Sequence, residues 1–350
     1  MKEHLRAMLV DPAARLPLQL QESIVEGDDI VDGQLIAQDG KRYMIANGIP
    51  RLIDSIDSGQ QQTSETFGYK WSRRETYDSE AFKKFTIKWL TEKYGFHSLE
   101  EWAEYFSART RVLDIGCGSA FSSSLWLDTP YWTGRAMYVG VDISTAVDVA
   151  SERLHHVPNV HFVQADALAL PFLDQSFDAI FSEGVLHHTP STRQALLSAA
   201  RILSTGGEFH FYVYRRKGPV REFTDDYVRQ QIAELSDEEA WDAMRSLTYL
   251  GQVLWESGAQ VEVRQDIPLL GIQTGAYDVQ RLIYWNFAKL YWNADLSFEE
   301  NVHINFDWYR PRYAHRQTEA DVRDWCAEAH LSIQWFHVQE SGFTIRAIKP

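Results

Sequence analysis

The sequence predicts an α/β fold built around a mostly parallel sheet, and three observations support this. Short apolar runs alternate with helical patterns between residues 108 and 214, as in strands joined by crossover helices. The first run leads into the glycine turn Gly116-Cys117-Gly118, and acidic residues stand at three strand ends. The predicted strands are 112–115, 138–141, 160–163, 177–181 and 207–213. A ligand of such a sheet binds beyond the carboxyl ends of the strands.

This series of motifs resembles the class I S-adenosylmethionine (SAM)-dependent methyltransferases, in particular the ubiquinone/menaquinone-biosynthesis group. A lone Gly-x-Gly turn is weak evidence, because it also opens nicotinamide- and flavin-binding folds. The resemblance gains specificity from the segments Leu170-Pro171-Phe172, Ser176-Phe177-Asp178 and Val185-Leu186-His187-His188. It is strong over residues 108–214 and weak over about the last 30. It implies a Rossmann-like, mostly parallel seven-stranded sheet with helices on both faces, SAM as cofactor and S-adenosylhomocysteine as product.

The resemblance assigns the cofactor contacts to the glycine turn and the strand ends. Gly116 and Gly118 allow a tight turn and let the backbone approach the methionine part of SAM. Asp114 is expected to attract the ammonium group, and Asp142 to accept hydrogen bonds from the ribose hydroxyls. The predicted cofactor set is Trp71, Asp114, Gly116, Cys117, Gly118, Asp142, Ile143, Asp166, Ala167, Ser182 and Glu183.

The resemblance also assigns residues to the adenine ring of SAM, and the sequence departs from the family pattern at one position. Asp166 and the Ala167 backbone match the positions that hold the adenine edge, and Ile143 is expected to pack on its face. Ala120 replaces the third glycine of the first motif, a mild change because that position mainly serves helix–strand packing. A dehydrogenase would need that glycine at Phe121 and would leave Asp166 unexplained.

The composition of the chain indicates which kinds of binding partner to expect. The 350 residues suit one large domain or two modest ones. The net charge is −15 and no long basic run occurs, so we expect no nucleic-acid partner. Cys117 and Cys326 stand far apart and form no metal-binding pattern. No apolar run has signal-peptide or transmembrane character, which predicts a cytoplasmic protein without a membrane span. The oligomeric state stays open.

Residues 1–60 are predicted to form a small β-rich unit. The turn Asp39-Gly40 between the runs 28–36 and 41–45 indicates a hairpin. Residues 43–52 resemble the end of Trm112-like zinc-ribbon domains, which occur fused to or paired with methyltransferases. The ligand cysteines of that family are absent here, so we expect no zinc. The alternative is an unrelated hairpin that packs on the catalytic domain.

Residues 61–107 are predicted to supply a linker and the helices that flank the cofactor site. The polar stretch from Ser55 to Thr63 has the composition of a linker. Tyr69 and Trp71 are expected to close over the cofactor, or alternatively to pack in the core. Aromatic residues at helical spacing predict helices over 79–107.

Residues 215–314 are predicted to form a helical, aromatic-rich insertion after the fifth strand. Because an insertion at this point lies above the strand ends, we interpret it as a cap over the methyl acceptor. Most of its aromatic side chains are expected to form the cap's own core. Residues 315–350 should complete the sheet with a helix at 318–329 and strands at Ser332–Val338 and Gly342–Ile348.

The catalytic candidates follow from the needs of methyl transfer. The reaction is an in-line displacement, so the enzyme aligns the nucleophile, excludes water and in some cases removes a proton. In the family arrangement His187 and His188 face the methyl group, although such histidines also hold this turn together. Tyr212 is the third candidate, and Glu183 is expected to contact cofactor or acceptor. The basic run 215–217 either meets an anionic acceptor or forms a solvated loop.

The function predicted from these patterns is SAM-dependent methyl transfer to a small molecule held between the sheet and the cap. One alternative is a methyltransferase acting on tRNA or protein, which the Trm112-like segment suggests. The acidic net charge and the aromatic insertion argue against it. A second alternative is a SAM-binding regulatory protein without activity, against which the intact acidic residues at the three strand ends argue.

Overall fold

The computed structural model describes residues 1–54 and 56–350 and has an α/β architecture. The strands are β1 Gln19–Glu26, β2 Asp29–Ile36, β3 Arg42–Ala46, β4 Ile49–Leu52, β5 Arg111–Ile115, β6 Met137–Asp142, β7 Val160–Ala165, β8 Phe177–Glu183, β9 Leu203–Tyr214, β10 Gln260–Val263, β11 Gly275–Asp278, β12 Ser332–Val338 and β13 Gly342–Ile348. The helices are α1 Glu3–Arg6, α2 Ser58–Ser72, α3 Glu80–Tyr94, α4 Leu99–Ser107, α5 Phe121–Leu127, α6 Ala146–Leu154, α7 Thr192–Ile202, α8 Pro219–Gln231, α9 Asp237–Glu256, α10 Val279–Asn286, α11 Phe298–Tyr309 and α12 Glu319–Glu328.

The central sheet confirms the predicted α/β class. Its strands lie in the order β7-β6-β5-β8-β9-β13-β12, and β5 to β9 are parallel. The last two strands, β13 and β12, are antiparallel and close this side. Val112 belongs to one buried apolar cluster and its neighbour Leu113 to another. Because successive side chains point to opposite faces, the sheet has a core on both sides, as parallel sheets require.

The N-terminal strands continue this sheet. Strand β4 pairs in parallel with β7, with Arg51 opposite Gln164 and Leu52 opposite Ala165. Strands β3, β2 and β1 follow outward, so the sheet has eleven strands where the resemblance implied seven. The pairing gives the exposed edge of β7 backbone partners. The predicted Asp39-Gly40 turn joins β2 to β3, with Gly40 at φ +88°.

The segment expected to be a linker is largely helical. Helix α2 starts at Ser58, where Asp57 and Gln60 form a capping box that satisfies the first free backbone N–H groups. Its residues Thr66 and Lys70 are buried against the rest of the molecule. Composition was misleading here because tertiary packing stabilises a polar helix. Ser55, the first residue of the expected linker, lies outside the described residues.

The insertion holds the helices α8 to α11 and a hairpin formed by β10 and β11. Its core includes Trp241, Phe306 and Trp308, and it extends to Tyr212 and Tyr214 of β9. The cap therefore shares its apolar core with the end of the fifth strand of the central domain. Within the described part of the chain, no helix combines the length and apolar character needed to cross a membrane.

Candidate active site

A cavity of ≈ 610 Å³ lies beyond the carboxyl ends of β5 to β9, beneath α2 and the cap. Its floor, here called the sheet end, is formed by Gly116, Asp142, Ile143, Asp166 and Ala167. Its opposite part, here called the cap end, is formed by Lys217, Arg281, Tyr284, Trp285, Lys289 and Trp308. The two ends belong to one continuous space, which is the position expected for a ligand of a parallel sheet.

The glycine turn brings backbone close to the sheet end. Gly116 and Gly118 have φ of +74° and +53°, a region that favours glycine. A Cβ at Gly116 would overlap the side chain of Val185, and a Cβ at Gly118 would overlap the indole of Trp71. The turn thus needs glycine for its conformation and for the space that its neighbours occupy.

Asp142 is the best-anchored acidic residue of the sheet end. One carboxylate oxygen accepts a hydrogen bond from the Gly118 N–H at 2.9 Å. The other accepts from the backbone N–H and hydroxyl of Ser144, at 2.8 and 2.7 Å. Burial raises the pKa of Asp142, and these hydrogen bonds act in the opposite direction. The carboxylate is held at the cavity wall with lone pairs left for ligand hydroxyls.

Asp166 lies beside it at the end of β7. Its side chain accepts hydrogen bonds from the Leu168 N–H at 2.9 Å and from the Gln60 amide at 2.7 Å. Ile143 and Ala167 line the same wall, and their contacts with adenine stay a prediction. Gln60, which sequence reasoning did not single out, connects this wall to α2. The only sequence signal for it is its place in the capping box.

Four predicted cofactor residues lie behind the wall: Asp114, Cys117, Gly118 and Ser182. The Asp114 carboxylate accepts hydrogen bonds from the hydroxyls of Ser123 and Tyr138, the latter at 2.7 Å. Burial raises the pKa of Asp114 to about 6. Its side chain thus bonds to α5 and β6, and the predicted attraction of a ligand ammonium group, directly or through water, stays a prediction. The Ser182 hydroxyl likewise donates to the Ile115 carbonyl at 3.1 Å.

Helix α2 closes the cavity from above. Phe67, Lys70 and Trp71 line it, which agrees with the position expected for Trp71. Lys70 forms a buried ion pair with Asp307 of α11, so the pair connects the closing helix to the cap. The Trp71 ring packs edge-on against His303, with ring centres 5.7 Å apart. The two partners are 237 residues apart in the chain, so no local sequence pattern indicates this ion pair.

Glu183 lines the cavity with its charge already partnered. Its carboxylate forms an ion pair with the fully buried Lys93 and accepts a hydrogen bond from the Tyr94 hydroxyl at 2.8 Å. Burial lowers the pKa of Lys93 to about 8, while Glu183 opposes this change. The Lys93 ammonium also stands 4.0 Å from the ring centre of Tyr212. Lys93 therefore fixes both side chains at this wall.

The two adjacent histidines have different surroundings. His187 is fully buried behind the wall, and its Nδ1 accepts a hydrogen bond from the Tyr214 N–H at 3.3 Å. His188 lines the cavity, and its Nδ1 is 2.6 Å from the Tyr313 carbonyl. A carbonyl only accepts, so Nδ1 of His188 carries the hydrogen and Nε2 has a free lone pair. Burial lowers the pKa of His188 to about 4, which keeps the imidazole neutral near pH 7.

Two tyrosines of β9 join the sheet end to the cap end. Tyr212 and Tyr214 are buried and line the cavity. The Tyr214 hydroxyl donates to the Asp307 carboxylate at 3.2 Å. Burial raises the pKa of both phenols, so their hydroxyls stay protonated and act as hydrogen-bond donors.

The cap end is rich in aromatic rings and positive charge. Tyr284, Trp285 and Trp308 supply the rings, and Lys217, Arg281 and Lys289 supply the charge. The ammonium groups of Lys217 and Lys289 are 5.6 and 4.7 Å from the centre of the Trp308 ring. Sequence reasoning named Lys217 in its basic run. It missed Arg281 and Lys289, which stand in no motif and meet the site only through folding.

Comparison with known proteins gives a family for the central part of the chain. Residues 113–211 match the family model described as a methyltransferase domain. The match begins in β5 and ends in β9, so it covers the strands that form the sheet end of the cavity. It confirms the class of protein that the sequence motifs resemble.

Two curated relatives and one solved structure resemble parts of the chain. Phthiotriol/phenolphthiotriol dimycocerosates methyltransferase 1 of Mycobacterium ulcerans is 30% identical over 129 residues, which is 37% of this chain and 46% of the relative. A fatty-acid O-methyltransferase of Mycolicibacterium smegmatis is 33% identical over 113 residues, 32% and 40% of the two chains. The matched region therefore spans about half the length of the curated relatives or less. The CurJ carbon methyltransferase structure has a TM-score of 0.42 at 15% identity, covering 84% of this chain and 61% of its own.

Proposed function

We propose, from the premise that residues 113–211 form a class I SAM-dependent methyltransferase domain, that this protein methylates a small molecule held between sheet and cap. The observation that carries the proposal is the single cavity that joins the two ends. A methyl donor at the sheet end and an acceptor at the cap end would then share one cavity, which α2 and the cap partly cover. Such cover limits the access of water to the reacting groups.

The residues of the sheet end fit SAM. Gly116 presents backbone to the cavity for the methionine part, Asp142 offers lone pairs to the ribose hydroxyls, and Asp166 is available to the adenine edge. When bound, SAM supplies an electrophilic methyl group on a sulfonium, and its transfer leaves S-adenosylhomocysteine. The protein's own part is to orient the two molecules and to receive any proton that the acceptor loses.

His188 is the residue best suited to receive that proton. The Tyr313 carbonyl fixes its tautomer, and within the described residues its Nε2 has no hydrogen-bond partner. This atom is itself buried, within a side chain that lines the cavity. With a pKa of about 4, it is a hydrogen-bond acceptor that orients an acceptor hydroxyl, and it takes up the proton only as the new bond to the methyl group forms. His187 has a supporting role at β9.

A small acceptor fits this site better than a macromolecule. The cap and α2 partly cover the cavity, and aromatic rings line its far end, so a base or side chain of a large partner would have to enter a concave site between them. The two curated relatives are named for phthiotriol or phenolphthiotriol dimycocerosates and for fatty acids. Both names support an acceptor that is neither nucleic acid nor protein.

The proposal is tested in two steps with the full chain. Calorimetry with SAM and S-adenosylhomocysteine measures occupation of the sheet end, for which we expect low-micromolar affinity. Incubation with SAM and fractionated small-molecule pools then measures release of S-adenosylhomocysteine. Absence of SAM binding would overturn the proposal at its base. Binding without turnover on any small-molecule pool, but with turnover on tRNA or protein, would move it to the macromolecular alternative.

A further inference from the structure

The cap end holds positive charge without matching negative charge. Lys217, Arg281 and Lys289 line the cavity there, and within residues 1–54 and 56–350 none of them forms an ion pair with a carboxylate. Glu340 is the acidic residue in the same part of the wall, and its side chain is exposed at the rim. The sheet end, in contrast, has the carboxylates Asp142 and Asp166, and Lys70 of the closing helix is the cavity-lining cation that acts on Asp142.

The buried carboxylates near the cap end are already bound. Asp225 accepts hydrogen bonds from Arg221 at 2.8 Å, from the Trp308 indole at 2.9 Å and from the Tyr309 hydroxyl at 3.1 Å. Asp307 is paired with Lys70 and accepts from Tyr214. Both carboxylates act to raise the pKa of Lys289, and Asp225 that of Lys217, but their direct partners are other groups, so they compensate these two charges only in part.

Lys289 is the clearest example of a positive charge that the surrounding carboxylates do not fully compensate. Lys289 is 6% exposed, and within the described residues its ammonium group makes one hydrogen bond, to the Ile304 carbonyl at 3.1 Å, although it has three hydrogens to donate. An ammonium group buried without a counter-charge is destabilising. Burial accordingly lowers the pKa of Lys289 to about 7, while Asp307 acts to raise it. A bound anion would satisfy the remaining hydrogens and restore the full charge.

We infer that the methyl acceptor carries an acidic group, a carboxylate or a phosphate, and that Lys289 and Lys217 bind this group beside Trp308. The two ammonium groups converge on the same indole ring, at 4.7 and 5.6 Å from its centre. Lys217 also donates to the carbonyls of Arg215 and Ser341, both at 2.8 Å, which fixes its position. Arg281 adds a third positive charge to this wall.

The same wall indicates what surrounds the acidic group in the acceptor. Tyr284, Trp285 and Tyr291 line the cavity close to the cationic residues, and such rings bury apolar surface. The acceptor is thus an amphiphile with an acidic group and an apolar or planar part. This inference rests on the proposed function, because it places the acceptor in the space left when the sheet end holds SAM.

The test compares three probes that share an eight-carbon chain: octanoate, octyl phosphate and 1-octanol. Calorimetry is carried out on the full chain saturated with S-adenosylhomocysteine, whose own binding is measured first. We expect at least one anion to bind about ten times more tightly than octanol, the gain typical of a charge-assisted hydrogen bond. If octanoate binds more tightly than octyl phosphate, the acidic group of the acceptor is a carboxylate. If octyl phosphate binds more tightly, that group is a phosphate.

Substitutions test whether Lys289 and Lys217 cause the preference for anions over octanol. Lys289→Met and Lys217→Met should each reduce it about tenfold, and Lys289→Arg should retain most of it. The matched control is Lys88→Met on α3, whose side chain is 77% exposed and does not line the cavity. Equal affinity for anions and octanol, no anion binding, or a preference that survives both methionine variants would overturn the inference. Failure of S-adenosylhomocysteine to bind would instead overturn the proposed function.

Discussion

The two ends of the cavity differ in how their charged groups are satisfied. At the sheet end, Asp142 receives three hydrogen bonds from residues close to it in the fold, and Asp166 receives two. At the cap end, Lys289 is buried like Asp142, and among the described residues the Ile304 carbonyl is the one hydrogen-bond partner of its ammonium group. The protein's own groups thus satisfy the carboxylates of the sheet end, whereas the positive charge of the cap end needs a bound anion for full compensation. Cofactor binding and acceptor choice should therefore respond to different substitutions.

The largest expected effect concerns the glycine turn at the sheet end. Gly116→Val should abolish S-adenosylhomocysteine binding, because the backbone there has φ +74° and a Cβ would overlap Val185. Calorimetry checks this. Gly27→Val is the matched control, since Gly27 has φ +61° but open space around its Cβ position. Unchanged affinity in a folded Gly116→Val protein would show that the sheet end is not the cofactor site.

The adjacent histidines offer a test at the junction of the two ends. His188→Asn keeps a donor for the Tyr313 carbonyl but removes Nε2, so turnover should fall about 10²- to 10⁴-fold with cofactor affinity unchanged. His187→Asn keeps an acceptor for the Tyr214 N–H and serves as the control, with turnover close to wild type. Steady-state kinetics distinguishes the two. Equal losses in both variants would make the histidine pair a structural unit only.

Asp142→Ala sharpens the assignment of the sheet end. Loss of a carboxylate that accepts hydrogen bonds from two ribose hydroxyls should weaken SAM binding by about 2–4 kcal/mol. The measurement is calorimetry at fixed pH. Asp128→Ala is the control, since this exposed residue pairs with His156 away from the cavity. Affinity equal to wild type in Asp142→Ala would refute the ribose assignment.

A substitution on the cap side of the cavity should impair use of the acceptor and leave SAM binding intact. Tyr214→Phe removes the hydroxyl that donates to Asp307, and we expect kcat/KM for the acceptor to fall about tenfold while SAM affinity is retained. Tyr277→Phe is the control, because its hydroxyl bonds to the Gln273 carbonyl on the exposed hairpin of the cap. A loss of SAM affinity with acceptor selectivity unaltered would contradict the division between the two ends.

The smallest expected effect is one of stability. The pKa of Lys289 is about 7 in the folded protein and has its ordinary, higher value when unfolded. The unfolded chain therefore binds more protons between these two values, and this group's unfavourable contribution is full below pH 7 and declines as pH rises above it. Lys289→Met should raise the free energy of unfolding by about 1–3 kcal/mol near pH 6 and by less near pH 9. Urea denaturation checks this, with Lys88→Met showing no such difference.

We also predict from the composition of residues 1–60 that this segment binds no zinc. His4 is the single histidine of that segment, which has no cysteine, whereas a structural zinc site needs about four such ligands. The fold adds a different role for the segment, because β4 supplies backbone partners to the edge of β7. The resemblance of residues 43–52 to Trm112-like domains remains a prediction.

The sequence by itself determined the central sheet and most of the sheet end. Each strand and the acidic residue after it are neighbours in the chain, and parallel strands necessarily bring their carboxyl ends to one edge. The positions of Asp142, Ile143, Asp166 and Ala167 in one wall of the cavity therefore follow from the order of strands in the chain. The C-terminal strands Ser332–Val338 and Gly342–Ile348 were likewise evident from their patterns.

Tertiary structure alone decided how side chains are directed and how distant charges are matched. Asp114 turns to Ser123 and Tyr138, and no motif gives a side chain's direction within a buried strand. The ion pairs of Lys70 and Lys93 join residues far apart in the chain, and the polar helix α2 is stabilised by its packing. The excess positive charge of the cap end arises because the chain brings Lys217, Arg281 and Lys289 together while their carboxylate neighbours bind other groups. Such a balance is a property of three-dimensional distances, which the order of residues does not specify.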